Sequence, residues 1–164
     1  FTRLGGKAES VVKERVDLSE LTASVCEDMA LVQRRGILLE SEIQSGISAE
    51  GNRSLLTRLV VNLISNAYRY GKENGHIWVR LKEDEQQIRL TVSDDGIGIA
   101  KEDQEKIFSR FYQVDVSRTG RGSGLGLSMV RQIAQFHGGE VSVVSTLGQG
   151  STFIFTLPKK SFSS

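Results

Sequence analysis

Two asparagines, Asn62 and Asn66, stand four residues apart in the stretch NLISNAYRYG. On a helical projection they fall in one arc with apolar and aromatic side chains, namely Leu55, Leu59, Leu63 and Tyr70. Inward amides need hydrogen-bond partners, and an amide oxygen also suits a hard cation such as Mg²⁺. Arg69, at the edge of the arc, places a fixed positive charge where phosphate could lie. Taken alone, the two amides fit a cation and phosphate site and ordinary backbone bonding equally well.

A carboxylate follows an apolar strand pattern in the stretch DDGIGI, which runs from Asp94 to Ile99. An ionised carboxylate only accepts hydrogen bonds, so Asp94 can pair with the exocyclic amine of adenine but not with the carbonyl of guanine. Gly96 and Gly98 let a flat ligand approach the backbone. In isolation the favoured interpretation of this stretch is an ordinary Asp-Gly turn.

A glycine-rich segment, GSGLGLS from Gly122 to Ser128, precedes an amphipathic helix pattern. Its free N–H groups and the helix N-terminus favour an anion, and three arginines lie upstream: Arg110, Arg118 and Arg121. The segment is not a dinucleotide-binding fingerprint, because no strand leads into its first glycine. The alternative is a solvated loop, which is the state expected without a bound phosphate.

Periodicity and turn residues predict helices and strands that alternate in blocks around these motifs. The first expected helix begins near Asp17 or Ser19 and ends at Gly36. Three more are expected, over Ser54–Tyr70, about Lys101–Phe108 and about Leu125–His137. The expected strands are Ile37–Ser45, His76–Lys82, Gln87–Ser93, Glu140–Ser145 and Ser151–Leu157. This order favours an α+β two-layer sandwich, with a mixed and mostly antiparallel sheet and three main helices, over a doubly wound parallel sheet.

Length and composition fit a single globular domain, with 164 residues, 38% hydrophobic content and a formal charge of +1. The balanced charge argues against a nucleic-acid surface or a polybasic membrane anchor. Cys26 is the single cysteine, so an internal disulfide is excluded and a buried, inert thiol in a reducing compartment is expected. No apolar run approaches a membrane span, and the start at Phe1 indicates a piece of a longer protein.

Five ordered motifs resemble the nucleotide boxes of bacterial sensor histidine kinases. The stretch NLISNAYRYG resembles the N box, DDGIGI the G1 box, IFSRFYQVD the F box, GSGLGLS the G2 box and GQGSTF the last glycine box. The likeness covers about Val16 to Pro158, and its co-linear order makes a chance match very rare. It implies the ATP-lid α/β sandwich that type II topoisomerases, Hsp90-type chaperones and mismatch-repair ATPases share.

The resemblance also implies a role for each matching residue. Asp94 would bind the adenine amine beside Gly96, Gly98 and Ile99, while Tyr70 packs on the base. Asn62 and Asn66 would hold Mg²⁺ and the phosphates of ATP, with Arg69 nearby. The lid would comprise Gly122, Ser123, Gly124, Leu125, Gly126 and Leu127. Its base would be fastened by Phe108 and Tyr112, and Thr152 would support the pocket floor. Asn66 and Arg110 would serve catalysis; because Gln113 stands where an arginine often occurs, Arg118 and Arg121 are the alternatives to Arg110.

Related ATPases carry a water-activating glutamate at the position of Asn62, and an amide cannot accept that proton. The chain is therefore expected to keep the γ-phosphate for a histidine acceptor. His137 is expected to cap a helix end and His76 to lie on the surface, so neither fits as that acceptor. In this family the acceptor lies upstream of the catalytic domain. The fragment alone is thus expected to bind ATP without phosphorylating itself.

The expected organisation is the end of a dimerisation helix and a mobile linker over 1–16, the catalytic domain over 17–158 and a tail over 159–164. The expected partners are the protein's own dimerisation and phosphoacceptor domain and a response regulator. The fragment is expected to be monomeric, and the parent a dimeric membrane sensor with this part on the cytoplasmic side. Two alternatives stay open: a serine kinase of the anti-sigma type, and a non-enzymatic switch in which ATP closes the lid.

Overall fold

The computed structural model describes residues 12–32, 36–109 and 124–159. Four helices are assigned in this part of the chain: α1 (Leu18–Leu31), α2 (Arg53–Tyr70), α3 (Lys101–Gln104) and α4 (Gly124–Phe136). The strands are β1 (Glu14–Asp17), β2 (Leu38–Ile43), β3 (Ser48–Gly51), β4 (His76–Glu83), β5 (Gln87–Asp94), β6 (Glu140–Thr146) and β7 (Gly150–Pro158).

Five of the strands form one mixed sheet in the order β2-β4-β5-β7-β6. Only the β2–β4 pair within this sheet is parallel, and the predicted β4–β5 hairpin is antiparallel. Along β4, Ile77 and Val79 are fully buried whereas Trp78 is 39% exposed. This alternation means that one face of the sheet packs on the helices and the other faces solvent. The predicted α+β two-layer sandwich is confirmed.

Helix α2 supplies much of the core beneath the candidate site. Its buried stripe includes Leu59 and Leu63, which have no exposed area and belong to the same core cluster as Val92 and Phe153 of the sheet. The helix begins after Asn52, whose side-chain oxygen accepts from the N–H of Leu55 at 3.0 Å. Such an N-cap satisfies one of the unpaired N–H groups of the first turn.

Strands β1 and β3 differ from the expectation that residues up to Val16 lie outside the core. They pair as a separate antiparallel ribbon, and Val16 is 3% exposed. Each strand has only four residues, which is too short for a reliable periodic signal. Residues 1–11 of the predicted linker and 160–164 of the predicted tail lie outside the described residues.

Cys26 is buried in α1, as predicted, and burial together with the charge of Glu27 raises the pKa of its thiol to about 11. Such a thiol is almost fully protonated at neutral pH and therefore unreactive. Among the described residues, no helix has the length and apolar character needed to cross a membrane.

Candidate nucleotide-binding site

Asp94 is the last residue of β5 and is 6% exposed. Its Oδ1 accepts from the N–H of Gly96 at 2.8 Å. Burial, together with the charge of Asp95, raises the pKa of Asp94 to about 6, although N–H groups of Gly96 and Ser151 oppose the rise. The charged carboxylate is thus poorly compensated by the protein, and a ligand that donates a hydrogen bond would stabilise it.

The loop after Asp94 lies directly on the C-terminal end of α2. The N–H of Ile97 donates to the carbonyl of Tyr70 at 3.1 Å. A Cβ at Gly96 would lie 2.0 Å from that carbonyl oxygen, so no larger residue fits without moving the loop. This contact sets the C-terminal end of α2 beside the buried carboxylate.

Three polar residues to which the sequence analysis gave no role hold the same loop in place. The hydroxyl of Ser145 accepts from the N–H of Ile99 at 2.8 Å and donates to the carbonyl of Gly150 at 2.8 Å. Ser151 lies 2.8 Å from that hydroxyl, and the amide of Gln104 donates to the carbonyls of Ile99 and Ser145, each at 2.9 Å. One signal could have revealed Ser145: it follows Val141 and Val143 on the inward face of β6.

Thr152 does not lie where the sequence resemblance placed it. In the β5–β7 register Asp94 pairs with Ser151, whereas Thr152 pairs with Ser93, and their hydroxyls are 2.8 Å apart. Because side chains alternate along a strand, Thr152 points to the face opposite Asp94. Ser151, 6% exposed, is the hydroxyl residue on the carboxylate's side.

The asparagines of α2 lie at the edge of its buried stripe rather than within it. Asn62 and Asn66 are half-buried, as is Tyr70, and Arg69 is exposed. The amide nitrogen of Asn62 donates to the carbonyl of Gly126 at 3.5 Å and lies 3.9 Å from the sulfur of Met129. These contacts use the amide nitrogen of Asn62, whereas its carbonyl oxygen is the atom with the chemistry of a cation ligand. Helix α2 thus contacts the start of α4 through Asn62 and the loop after Asp94 through its C-terminal end.

The described part of the predicted lid is the first turn of α4. Gly124 begins this helix, Gly126 lies beside Asn62, and Leu127 is 9% exposed. At the lid base, Phe108 packs edge-on against the core ring of Phe153, with centroids 6.1 Å apart. The remaining predicted residues of the lid and its surroundings lie outside the described residues: Arg110, Tyr112, Gln113, Arg118, Arg121, Gly122 and Ser123. Nothing is described of the side chain of Leu125.

Both histidines have partners within the fold. The Nδ1 of His137 lies 2.8 Å from the carbonyl of Ile133, which is the predicted helix-end role, and burial lowers the pKa of its ring. His76 is half-exposed, stacks on Trp78 and has its Nδ1 3.2 Å from a carboxylate oxygen of Asp95. Partial burial would raise the pKa of Asp95, but the hydrogen bonds from the backbone and ring of His76 hold it below its ordinary value.

Two amide oxygens on α2 have the chemistry of magnesium ligands. No group of three or more His, Cys, Asp or Glu residues suited to a metal occurs in the described part of the chain. Mg²⁺ commonly uses only one or two protein ligands and completes its shell with phosphate oxygens and water. The amide oxygens of Asn62 and Asn66 are compatible with that mode of binding.

Comparison with known proteins gives matches to histidine kinases and related ATPases in sequence and in structure. Residues 51–161 match the family described as histidine kinase-, DNA gyrase B-, and HSP90-like ATPase. The sensor histidine kinase RppB of Synechocystis sp. is 43% identical over 145 residues, which cover 86% of this chain and 32% of RppB. The mycobacterial sensor histidine kinase MprB superposes with a TM-score of 0.78 at 30% identity, over 90% of this chain and 97% of that structure.

A third similarity is to the histidine kinase ThkA, solved in complex with the response regulator protein TrrA. It has a TM-score of 0.74 and 28% identity, over 90% of this chain and 42% of the ThkA chain. The chain spans less than half the length of the curated relatives it matches, from 19% to 42% for the first three.

Proposed function

This chain belongs to the histidine kinase-, DNA gyrase B- and HSP90-like ATPase family, and we propose that it is the ATP-binding catalytic domain of a sensor histidine kinase. In this proposal it transfers the γ-phosphoryl group of ATP to a histidine on a separate phosphoacceptor domain. Transfer of this kind depends mainly on positioning and on neutralising charge.

The adenine end of the site is proposed to be the pocket around Asp94. Its carboxylate accepts the exocyclic amine of adenine, while Ile99 and the glycine loop contact the ring. Guanine would place a carbonyl oxygen against the carboxylate and leave both acceptors unpaired, which costs about 1 to 3 kcal/mol. Tyr70, half-buried at the end of α2, is proposed to cover the base.

The phosphate end is proposed to lie between α2 and the start of α4. Asn62 and Asn66 present amides, Arg69 presents a cation, and the N-terminus of α4 offers N–H groups to an anion. The amide oxygens of Asn62 and Asn66 would hold Mg²⁺, which would neutralise charge on the phosphates of ATP. Because Asn62 cannot accept a proton from water, the γ-phosphate is preserved for the protein acceptor.

The acceptor is proposed to be a histidine outside this chain. Both ring nitrogens of His137 are engaged with backbone groups, and His76 is bound to Asp95 at the start of β4. The parent protein is proposed to be a dimeric membrane sensor with this domain on the cytoplasmic side. A response regulator is proposed as the next phosphate acceptor, as the ThkA–TrrA complex suggests.

The observation that carries the proposal is the buried carboxylate of Asp94 beside the C-terminal end of α2. The test is a calorimetric titration of the chain with Mg²⁺ and a non-hydrolysable ATP analogue, run beside the matching GTP analogue. The expected result is saturable binding of the adenine nucleotide with at least about a fivefold preference over guanine. Equal binding of the two, or binding of neither, would contradict the proposed site.

A further inference from the structure

Hydrogen bonds of Asn52 and His137 join three parts of the domain at the N-terminal end of α2. The side-chain amide of Asn52 donates to the carbonyl of Val12 at 2.9 Å, while its oxygen caps α2. The backbone N–H of Asn52 donates to Nε2 of His137 at 3.0 Å. His137 in turn donates from Nδ1 to the carbonyl of Ile133, in the last turn of α4, at 2.8 Å. A continuous chain of bonds thus runs from Val12 to α4.

The geometry requires a neutral imidazole that carries its proton on Nδ1, because Nε2 accepts and Nδ1 donates. The ring reaches this position because Gly51 has no side chain; a Cβ there would lie 2.5 Å from the Cδ2 of His137. Lys13 adds a second contact, since its Nζ lies 4.7 Å from the ring centroid of Phe136 at the end of α4. The chain entering at Val12 and Lys13 therefore touches both α2 and α4.

Helices α2 and α4 pack on each other, and a hydrogen bond joins them near each end of this contact. One is the Asn52–His137 bond, and the other is the bond of Asn62 to Gly126 at the start of α4. At about 1.5 Å per residue, the two points lie roughly 15 Å apart along α2 and roughly 16 Å apart along α4. Because the spans match and a helix is rigid over this length, a shift at the first point displaces the second.

We propose that Asn52 and His137 are positioning residues, which couple the chain entering at Val12 to the relative placement of Asn62 and the start of α4. The inference rests on the proposed function only in taking that placement to matter for nucleotide binding. Movement of the entering segment that breaks the Val12–Asn52 bond would loosen the N-terminal end of α2. The change would reach the phosphate end of the site through the two helices.

The test uses amide hydrogen exchange of the whole chain without nucleotide, followed at Asn62–Asn66 and Leu127–Val130. His137→Met removes both ring bonds, whereas His137→Gln keeps one donor and one acceptor. Asn52→Asp keeps the cap and the backbone bond to His137 but loses the donor to Val12. We expect exchange at both distant stretches to accelerate at least about fivefold in the Met and Asp variants and to stay within about twofold of wild type in the Gln variant.

Faster exchange only at the immediate neighbours Asn52 and Ile133, or a uniform acceleration of the whole domain, would overturn the proposal. Asn52→Asp decides the matter alone if His137→Met does not fold, since it leaves the helix cap intact. The ¹⁵N shifts of the imidazole give a separate check, and protonation on Nε2 in the neutral ring would contradict the assignment. Titration of the same samples with an ATP analogue separates the two proposals. A wild-type chain that binds no nucleotide contradicts the proposed function, whereas the exchange data, measured without nucleotide, test the coupling by themselves.

Discussion

Asp94→Asn is expected to stabilise the nucleotide-free domain while it removes nucleotide binding. The fold raises the pKa of Asp94 from 3.8 to about 6, mainly through burial. This difference corresponds to about 3 kcal/mol of unfavourable free energy at neutral pH, as an upper limit. Asparagine keeps an oxygen for the Gly96 N–H and removes the charge. Because its amide nitrogen replaces the oxygen that accepts from the Ser151 N–H, at a cost of about 1 kcal/mol or more, we expect a net gain of about 1 to 2 kcal/mol.

The gain has a definite dependence on pH. Since the folded state raises the pKa, wild-type stability is fullest below about pH 4 and falls as pH rises through about 6. The Asn variant lacks this fall, so its advantage grows from near zero at pH 4 to its full value at pH 7. Thermal unfolding measured across this range is expected to show a midpoint about 2 to 8 °C higher for the variant at pH 7.

The neighbouring residue provides a matched control. Hydrogen bonds from His76 hold the pKa of Asp95 below its ordinary value, so Asp95→Asn is expected to lower the unfolding midpoint at neutral pH. Two results would refute the idea that burial destabilises the ionised carboxylate of Asp94 in the folded state. One is an unfolding midpoint of Asp94→Asn that is unchanged or lower at pH 7, and the other is a gain in midpoint that persists unchanged at pH 4. In Asp94→Asn the affinity for an ATP analogue is also expected to fall at least tenfold, because an amide N–H would face the adenine amine.

Three further results are expected. Gly150→Ala should destabilise the domain by more than about 2 kcal/mol in chemical denaturation. The φ of Gly150 is +104°, which strains any residue with a Cβ, and that Cβ would lie 2.0 Å from the carbonyl oxygen of Asp94. The control, Gly126→Ala, has nothing within 4 Å of its Cβ and should be neutral or stabilise α4 by up to about 1 kcal/mol. Affinity for the ATP analogue should weaken about fivefold from pH 6 to pH 5, because Asp94, with its pKa of about 6, must lose a proton to accept the adenine amine. Calorimetry in two buffers at pH 6 should detect proton release on binding. Cys26 should stay unmodified by a thiol reagent in the native state and react fully in denaturant, and rapid native labelling would contradict its burial.

Much of the fold could be predicted because its long elements carry strong local signals. The apolar spacing and N-terminal cap of α2 bring its start within one residue of the expected Ser54, and the β4–β5 hairpin follows from alternation on both sides of a polar turn. The ribbon of β1 and β3 could not be predicted, since its stability depends on tertiary pairing. Val16 is apolar, but nothing nearby in the sequence shows that it meets Ala49.

The candidate site was predictable in its motifs but not in its register. Placing Thr152 rather than Ser151 beside Asp94 is an error of one residue, and one residue reverses the face of a strand. The support from Ser145 and Gln104 depends on contacts between segments 41 to 46 residues apart, which no local pattern records. The helical projection placed Asn62 and Asn66 within the buried arc, whereas in the structure both are only half-buried, because a projection of one helix does not show which neighbours cover each side of it.

Phosphoryl transfer to a separate histidine domain distinguishes the proposed function from its alternatives in one experiment. The chain is incubated with Mg²⁺, γ-labelled ATP and the phosphoacceptor domain of a sensor histidine kinase, with an acceptor whose histidine is replaced by glutamine as the control. Label is expected on the intact acceptor alone, in a bond that is labile to acid and stable to alkali, with little release of free phosphate. Acid-stable label on a hydroxyl residue, or tight ATP binding with no transfer to any acceptor, would contradict the proposed function and favour a serine kinase or a nucleotide-controlled switch.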